Sequence, residues 1–223
     1  HITFNNTQLF MKKIVSFMIV LALIAGLAII ASPYWAVYQL KKAYDTKDIA
    51  TINASIDFPK VQQSVKSQLN PILLEKAHQL TKSPFLQLLN IELNPDDIVG
   101  TLVNKAVDNS ITADGVNYVI TGQSATSTVS SSVKLLGGLL AVAMDKIDIQ
   151  DLLTARNQDA LLQKAKQQLT APNPNAVPVD NAAKYCGFDC IYVNTQVKGY
   201  PVTLGLQRHG WVTWQVVGVK LPL

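Results

Sequence analysis

IVSFMIVLALIAGLAIIA, residues 14–31, is an unbroken apolar run with Ser16 as its one polar interruption, and Met11, Lys12 and Lys13 stand directly before it. A helix needs roughly 20 such residues to cross a bilayer core of about 30 Å. The run therefore predicts a transmembrane helix from Ile14 to Ala31, with the lipid bilayer as its first partner. A basic lead and an apolar core also open cleaved secretory signals, which need small residues at and near the cut. Cutting after Ala31 leaves Ile29 at the third position back, and cutting after Ser32 leaves Ile30 there, both poor. Apolar character continues through Pro33, Tyr34, Trp35, Ala36, Val37 and Tyr38, with rings of the kind enriched at membrane interfaces. We expect an uncleaved anchor over residues 11–38, with a cleaved signal segment as the alternative. No cysteine follows the core, so a lipoprotein anchor is not supported.

Working outward, Lys12 and Lys13 precede the run, while Lys41, Lys42 and Lys47 follow it among Asp45 and Asp48. Acidic residues count little in the positive-inside rule, so lysines alone do not orient the helix. The short lead and signal-like shape place the N-terminus in the cytoplasm and the larger part outside. Residues 1–10 are polar, precede a start at Met11, and are set aside as a leader. Residues 39–223 are enough for one domain. Of 19 basic and 15 acidic side chains, only Lys12 and Lys13 precede the run, which leaves 17 basic against 15 acidic beyond it. So balanced a domain, with no cluster of Lys and Arg among aromatics, argues against a nucleic-acid partner.

The first part of that domain, 39–169, has helical spacing. Asp48 to Ile56 predicts a short helix with Ile49, Ile52 and Ile56 on one side, and Asp57 caps the next before Phe58 and Pro59. Val61, Val65, Leu69, Ile72 and Leu73 form a stripe, and Pro71 is expected to kink or divide that helix. Ser83 and Pro84 open a short apolar segment, Phe85 to Leu89. Asn94, Pro95, Asp96 and Asp97 are a helix start, with acids in the first turn where the dipole favours them. That explains these carboxylates without catalysis. Ile98, Val99, Leu102, Val103, Ala106 and Val107 follow as a buried face.

Gly115 to Gln123 reads as a strand, and the Ser/Thr-rich Ser124 to Ser132 as a flexible or edge segment. Gly122, Ser124 and Ser127 raise the thought of a nucleophilic serine, but no Gly-x-Ser-x-Gly occurs. Leu135 to Met144 is too short to span a membrane and reads as a buried core helix. Its alternative is a ligand-covering or membrane-facing element, which makes Leu135, Leu136, Leu139, Leu140 and Met144 a candidate apolar binding surface. Ile149 to Leu169 continues helical, and Pro172, Pro174 and Pro178 mark a connector over 170–182. Strands fill 183–223. Ile191, Val193, Thr195 and Val197 alternate, Lys198 and Gly199 turn, Val202, Leu204 and Leu206 alternate, and His209 and Gly210 turn again. Val212, Trp214 and Val216 share a face, then Val217, Val219 and Leu221 share the other parity. That slip predicts a bulge near Val217 and Gly218. Trp211 and Trp214 are expected to pack in the core or at a sheet edge, and a single Arg208 beside them is weak evidence for an anion site.

Cys186 and Cys190 have three residues between them in Tyr-Cys-Gly-Phe-Asp-Cys. In an exported domain a local disulfide is the expected state, with free thiols, a metal or a redox role as alternatives. Zinc needs about four ligands, and His78 and His209 form no such pattern. No metal or other cofactor is expected.

The stretch YWAVYQLKKAYDTKDIATINASIDFPKVQQSVKSQL and the ending LGLQRHGWVTWQVVGVKLP together resemble a family of bacterial membrane-anchored proteins catalogued as domain of unknown function 2939. The resemblance covers most of the chain beyond the anchor and is strongest at Tyr38 to Leu69 and Leu204 to Pro222. It implies an envelope protein whose helices precede a small antiparallel sheet, and it carries over no catalytic residues. The expected fold is thus α+β: an N-terminal transmembrane helix, then several helices packed on a C-terminal antiparallel β-meander, forming a single exported domain over residues 39–223. The expected place is a bacterial inner membrane, single-pass, with the domain in the periplasm, or secretion to the periplasm after cleavage. Two function classes follow. One is a non-enzymatic module binding an envelope partner protein or an apolar ligand, through Leu135 to Met144 and the concave sheet face. The other is an enzyme with an unrecognised site, thiol redox through the Cys pair being its one named form.

Overall fold

The computed structural model describes residues 3–81, 94–123, 126–148, 183–197 and 200–223 and, singly, 160, 163 and 167; of 3–14, 80, 81 and 197 it describes the backbone only. The Phe85 to Leu89 segment, most of Ile149 to Leu169, the connector and the Lys198 to Gly199 turn lie outside the described residues.

Helix α1 (Thr3–Thr46) runs unbroken through the apolar stretch and on past residue 38. It ends where Lys47 turns left-handed at φ 55° and the Asp48 N–H reaches back to the Ala43 carbonyl at 2.8 Å. Val15 to Ile30 is exposed almost throughout. The outward part is different: Ala43 is buried, and Ala36, Val37 and Leu40 lean on the core. Helix α2 (Ile49–Ala54) starts on Asp48, whose carboxylate accepts the Thr51 hydroxyl at 2.7 Å and the Thr51 N–H at 3.1 Å. Those bonds hold the Asp48 carboxyl below its ordinary value.

Helix α3 (Phe58–Thr81) is the spine of the domain. Asp57 caps it, accepting from the Lys60 N–H, and the Lys60 ammonium at 3.1 Å is the main cause of a lowered Asp57 carboxyl. Val61, Val65, Leu69, Leu73 and Ala77 recur at the helical period and are all buried. Pro71 does not divide the helix; it sits on the exposed side. Against this stripe pack Val99, Val103, Ala106 and Val107 of α4 (Pro95–Ser110), and Leu139, Val142 and Ala143 of α6 (Ser127–Ala143). Asn94 caps α4 as the sequence predicts, accepting the Asp96 N–H at 3.2 Å. Ion pairs brace the bundle, Lys66 with Asp108 at 2.6 Å and Lys76 with Asp145.

Two segments correct the sequence expectation. The expected strand near Gly115 is helix α5 (Ala113–Thr121), and the described part of the expected loose Ser/Thr-rich segment, from Thr126 on, opens α6. For α5 the ends decide. The Thr112 hydroxyl accepts the Gly115 N–H at 3.1 Å, and Gly122 ends the helix left-handed at φ 76°. At Gly115 an added Cβ would lie 1.7 Å from the Ser110 carbonyl oxygen, so only glycine lets α5 leave α4 this tightly. In α6, Thr126 caps, and the Ser130 and Ser131 hydroxyls donate back to the Ser127 carbonyl at 2.9 Å. Hydroxyls satisfied within the helix itself make a polar first turn compatible with helix.

Four strands close the described chain: β1 (Ala183–Tyr185), β2 (Cys190–Val197), β3 (Tyr200–Arg208) and β4 (Trp214–Lys220), antiparallel in the order β1-β2-β3-β4. Ile191, Val193, Leu206, Trp214 and Val216 are buried on the inner face. The predicted bulge is present. Leu206 pairs with Val216 but Gly205 pairs with Gly218, which leaves Val217 as the extra residue and returns Val219 to the core side.

Edge strand β4 is covered. The Asp57 N–H donates to the Val216 carbonyl at 2.9 Å, and the Val216 N–H to the Ser55 carbonyl at 2.8 Å. One turn on, Gln68 donates to the Val219 carbonyl at 2.6 Å and accepts the Leu221 N–H at 2.9 Å, while Ser64 exchanges bonds with Val219 at 3.2 Å. An uncovered edge invites pairing with another chain. Gln68→Ala strands these backbone groups and lowers stability by about 1–3 kcal/mol, read from urea unfolding, whereas Gln63→Ala on the exposed side of α3 changes it by less than about 0.5 kcal/mol.

Candidate functional site

Two places concentrate side-chain chemistry: the joint where α1 meets the sheet, and the outer face of the sheet. The joint begins at Pro33. Proline has no N–H, so the Ile29 carbonyl four residues back loses its helical partner. Ser32 donates to that carbonyl at 2.7 Å, and Arg208 approaches it at 3.4 Å through Nη2. Ser32 also accepts from the Trp214 indole N–H at 2.9 Å and from Arg208 Nη1 at 3.3 Å. A buried hydroxyl is thereby saturated, and a helix defect becomes a docking point.

Arg208 ties three segments together. Its guanidinium donates to the Phe188 carbonyl from Nε and Nη2, and to the Trp211 carbonyl at 2.6 Å from Nη1. It lies 4.4 Å from the Trp214 ring and 4.8 Å from the Phe188 ring. Planarity and five donors suit it to this fork. An anion site at Arg208 therefore does not arise, since its donors are directed at carbonyls and at Ser32. The Phe188 loop is closed by the Cys186–Cys190 disulfide, the state the sequence favoured.

Beside it, the Tyr185 hydroxyl donates to the Ile30 carbonyl at 2.6 Å, and its ring meets Tyr34 edge-on at 6.5 Å. Desolvation raises the Tyr185 phenol above its ordinary 10.0, Tyr34 adds to the shift and Arg208 opposes it. A raised phenol value means that the protonated form is the one the fold holds. Its contribution is full below pH 10 and is lost as pH rises through the raised value. As pH rises above about 10, wild-type protein should lose thermal stability relative to Tyr185→Phe, which lacks the titrating group; parallel curves would contradict this.

The outer sheet face is open. Tyr192, Asn194, Thr203, Gly205, Gln207 and Val217 line a groove of about 890 Å³ with Ser64 and Gln68 at one wall. The Tyr192 ring lies over Gly205, and Thr203 donates to Asn194 Oδ1 at 2.9 Å. Lys184 and Lys220 stand at its two edges, and Lys60 donates to Gln207 at 3.1 Å. The groove thus combines an exposed aromatic, amide and hydroxyl groups, and positive charge at the rim.

Among the predicted positions, Leu139 is core, Leu135, Leu136 and Leu140 are half-buried against it, and Met144 is half-buried at the end of α6. They form the packed side of a helix and do not converge with the sheet groove. Asp96 and Asp97 sit in the first turn of α4, with His78 3.9 Å from Asp96. His209 is in the hairpin turn, as expected. Trp214 is buried as expected, but Trp211 is 82% exposed and packs in neither core nor edge. Its place on the five-residue loop between β3 and β4 carries it off the sheet. Among the described residues no group of three or more His, Cys, Asp or Glu is placed to hold a metal ion. Ser32, Tyr185 and Phe188 are the joint residues that sequence reasoning missed. Pro33 inside an otherwise helical run was the one available signal.

Residues 22–118 match the model of a family described as Protein of unknown function (DUF2939). The match runs from within α1 into α5; the ending Leu204 to Pro222 lies outside it. No curated protein and no solved structure matches the chain.

Proposed function

We propose that the chain is a non-enzymatic module of a bacterial envelope, held in the inner membrane by uncleaved α1, whose outer sheet face binds an extended acidic segment of a partner protein on the periplasmic side. What supports anchoring is α1 itself: it is long and apolar enough to cross a membrane, and its apolar residues are exposed. Retention of the helix has a structural use. Cutting after Ala31 removes the Ile29 and Ile30 carbonyls that Arg208 and Tyr185 hold, and cutting after Ser32 removes the buried hydroxyl too.

The single observation that carries binding is the groove. Exposed Tyr192 beside the Thr203–Asn194 and Lys60–Gln207 pairs presents ring surface and polar edges together, which suits a polypeptide, able to make apolar and hydrogen-bonding contacts at once. Lysines at both edges favour acidic side chains in the occupant. A photo-crosslinking residue in place of Tyr192, in the full chain in native membranes, should yield one discrete adduct. Thr203→Arg in the groove should abolish it, while the same probe at exposed Val119 on α5 should give none. Absence of an adduct at Tyr192, or equal yield at Val119, would contradict the assignment.

A further inference from the structure

Two exposed aromatic side chains cap the same end of the sheet. Phe188, at the tip of the disulfide loop, is 74% exposed, and Trp211, in the hairpin loop, is 82% exposed. Among the described residues neither ring belongs to the core or the groove, and the Phe188 ring meets the Arg208 guanidinium at 4.8 Å. Their backbones are held within one guanidinium's reach of the helix, since Arg208 bonds the Phe188 and Trp211 carbonyls together with Ser32 and the Ile29 carbonyl.

That bond set fixes their depth. Moving down α1, the domain touches Ala43, Leu40, Val37, Ala36 and then Ser32 and Ile29, and of Val15 to Ala28 all but Gly26 are exposed. Among the described residues, the two loops are therefore the part of the domain nearest the membrane end of the helix. The apolar run of residues 14–31 is about 27 Å long at 1.5 Å per residue, close to the hydrocarbon thickness. Ile29 to Ser32 then lies at the outer boundary of the hydrocarbon, and Tyr34, Trp35 and Tyr38, all exposed, stand one to two turns above.

We propose that Phe188 and Trp211 insert into the headgroup layer of the membrane that α1 crosses, so that the domain is seated on the bilayer at three points instead of swinging on its helix. The occupant is the lipid interface. Trp211 is favoured there because its apolar body and polar N–H edge are both accommodated, and Phe188 adds an apolar ring at the boundary with the acyl chains. The disulfide fixes the short loop that presents Phe188. This inference rests on α1 as an uncleaved span, and the test separates the two.

The full chain, labelled with 5-fluorotryptophan, is reconstituted in vesicles of phosphatidylethanolamine and phosphatidylglycerol. Trp35, Trp211 and Trp214 then give three fluorine resonances, assigned by Trp211→Phe and Trp35→Phe. Headgroup spin-labelled lipid should broaden both the Trp35 and Trp211 resonances beyond detection, while a soluble gadolinium chelate should leave Trp211 largely intact. Trp35 broadened by the lipid label, with Trp211 broadened by the chelate alone, overturns the seating and leaves the span standing. Neither resonance responding to the lipid label overturns both. Trp211 protected from both agents assigns the tips to a protein contact and also overturns the proposal.

Discussion

Leu69→Ala is expected to lower the unfolding free energy by about 3–5 kcal/mol, a large part of what a domain of this size possesses. Leu69 is wholly buried on α3, in the cluster that joins the α4 and α6 stripes to Ile191, Val193 and Leu206 of the sheet. Truncation removes the transfer energy of the lost carbons and leaves a void that rigid helices on two sides and a sheet on the third cannot collapse into. The check is urea unfolding of the full chain in micelles, followed by near-ultraviolet circular dichroism. The midpoint should fall with little change in slope. A loss below about 1 kcal/mol would mean that the helices and the sheet do not share one core at this residue.

Arg208→Ala is expected to detach the sheet end from α1 without unfolding the helical part. The substitution leaves the Ile29, Phe188 and Trp211 carbonyls short of donors and removes a cation from two ring faces. Hydrogen bonds to a charged donor are worth about 1.5–3 kcal/mol each and are not additive, so a loss of roughly 3–4 kcal/mol in local docking is expected. Arg208→Lys should recover little, because a single ammonium cannot replace a planar fork aimed at four acceptors. Hydrogen exchange reads this directly. Protection should fall in β3 and β4 around Leu206 and Trp214, and stay in α3 and α4. Lys rescuing protection to the wild-type level would show that charge alone matters there.

How far these features were legible in the sequence depended on the range of the interactions behind them. The α3 stripe, the Asn94 and Asp57 caps and the Val217 bulge are written in spacings of a few residues, and the structure has each of them. Helix α5 reads as a strand in the sequence because Val116, Tyr118 and Ile120 alternate over too few residues for a helical period to show. Its Thr112 and Gly122 ends decided the matter. The start of α6 misled for another reason: serine in mid-chain suggests a loop until one sees its hydroxyl bonded to a carbonyl one turn back. The joint joins Ser32 to Arg208, 176 residues apart, and no local pattern encodes such a pair. Likewise the alternation in β2 and β3 shows that the sheet has two faces. Which face the helices cover, and so where the groove lies, is a property of packing alone.

The central claim is that the folded domain remains joined to a membrane-spanning α1 and uses its last turns as part of its own structure. The most direct measurement is the intact mass of the protein recovered from carbonate-washed membranes of cells producing the full chain. The account predicts that all of the protein stays with the membrane and that its mass includes residues 14–31. A soluble protein whose mass begins at Ser32 or Pro33 would contradict it.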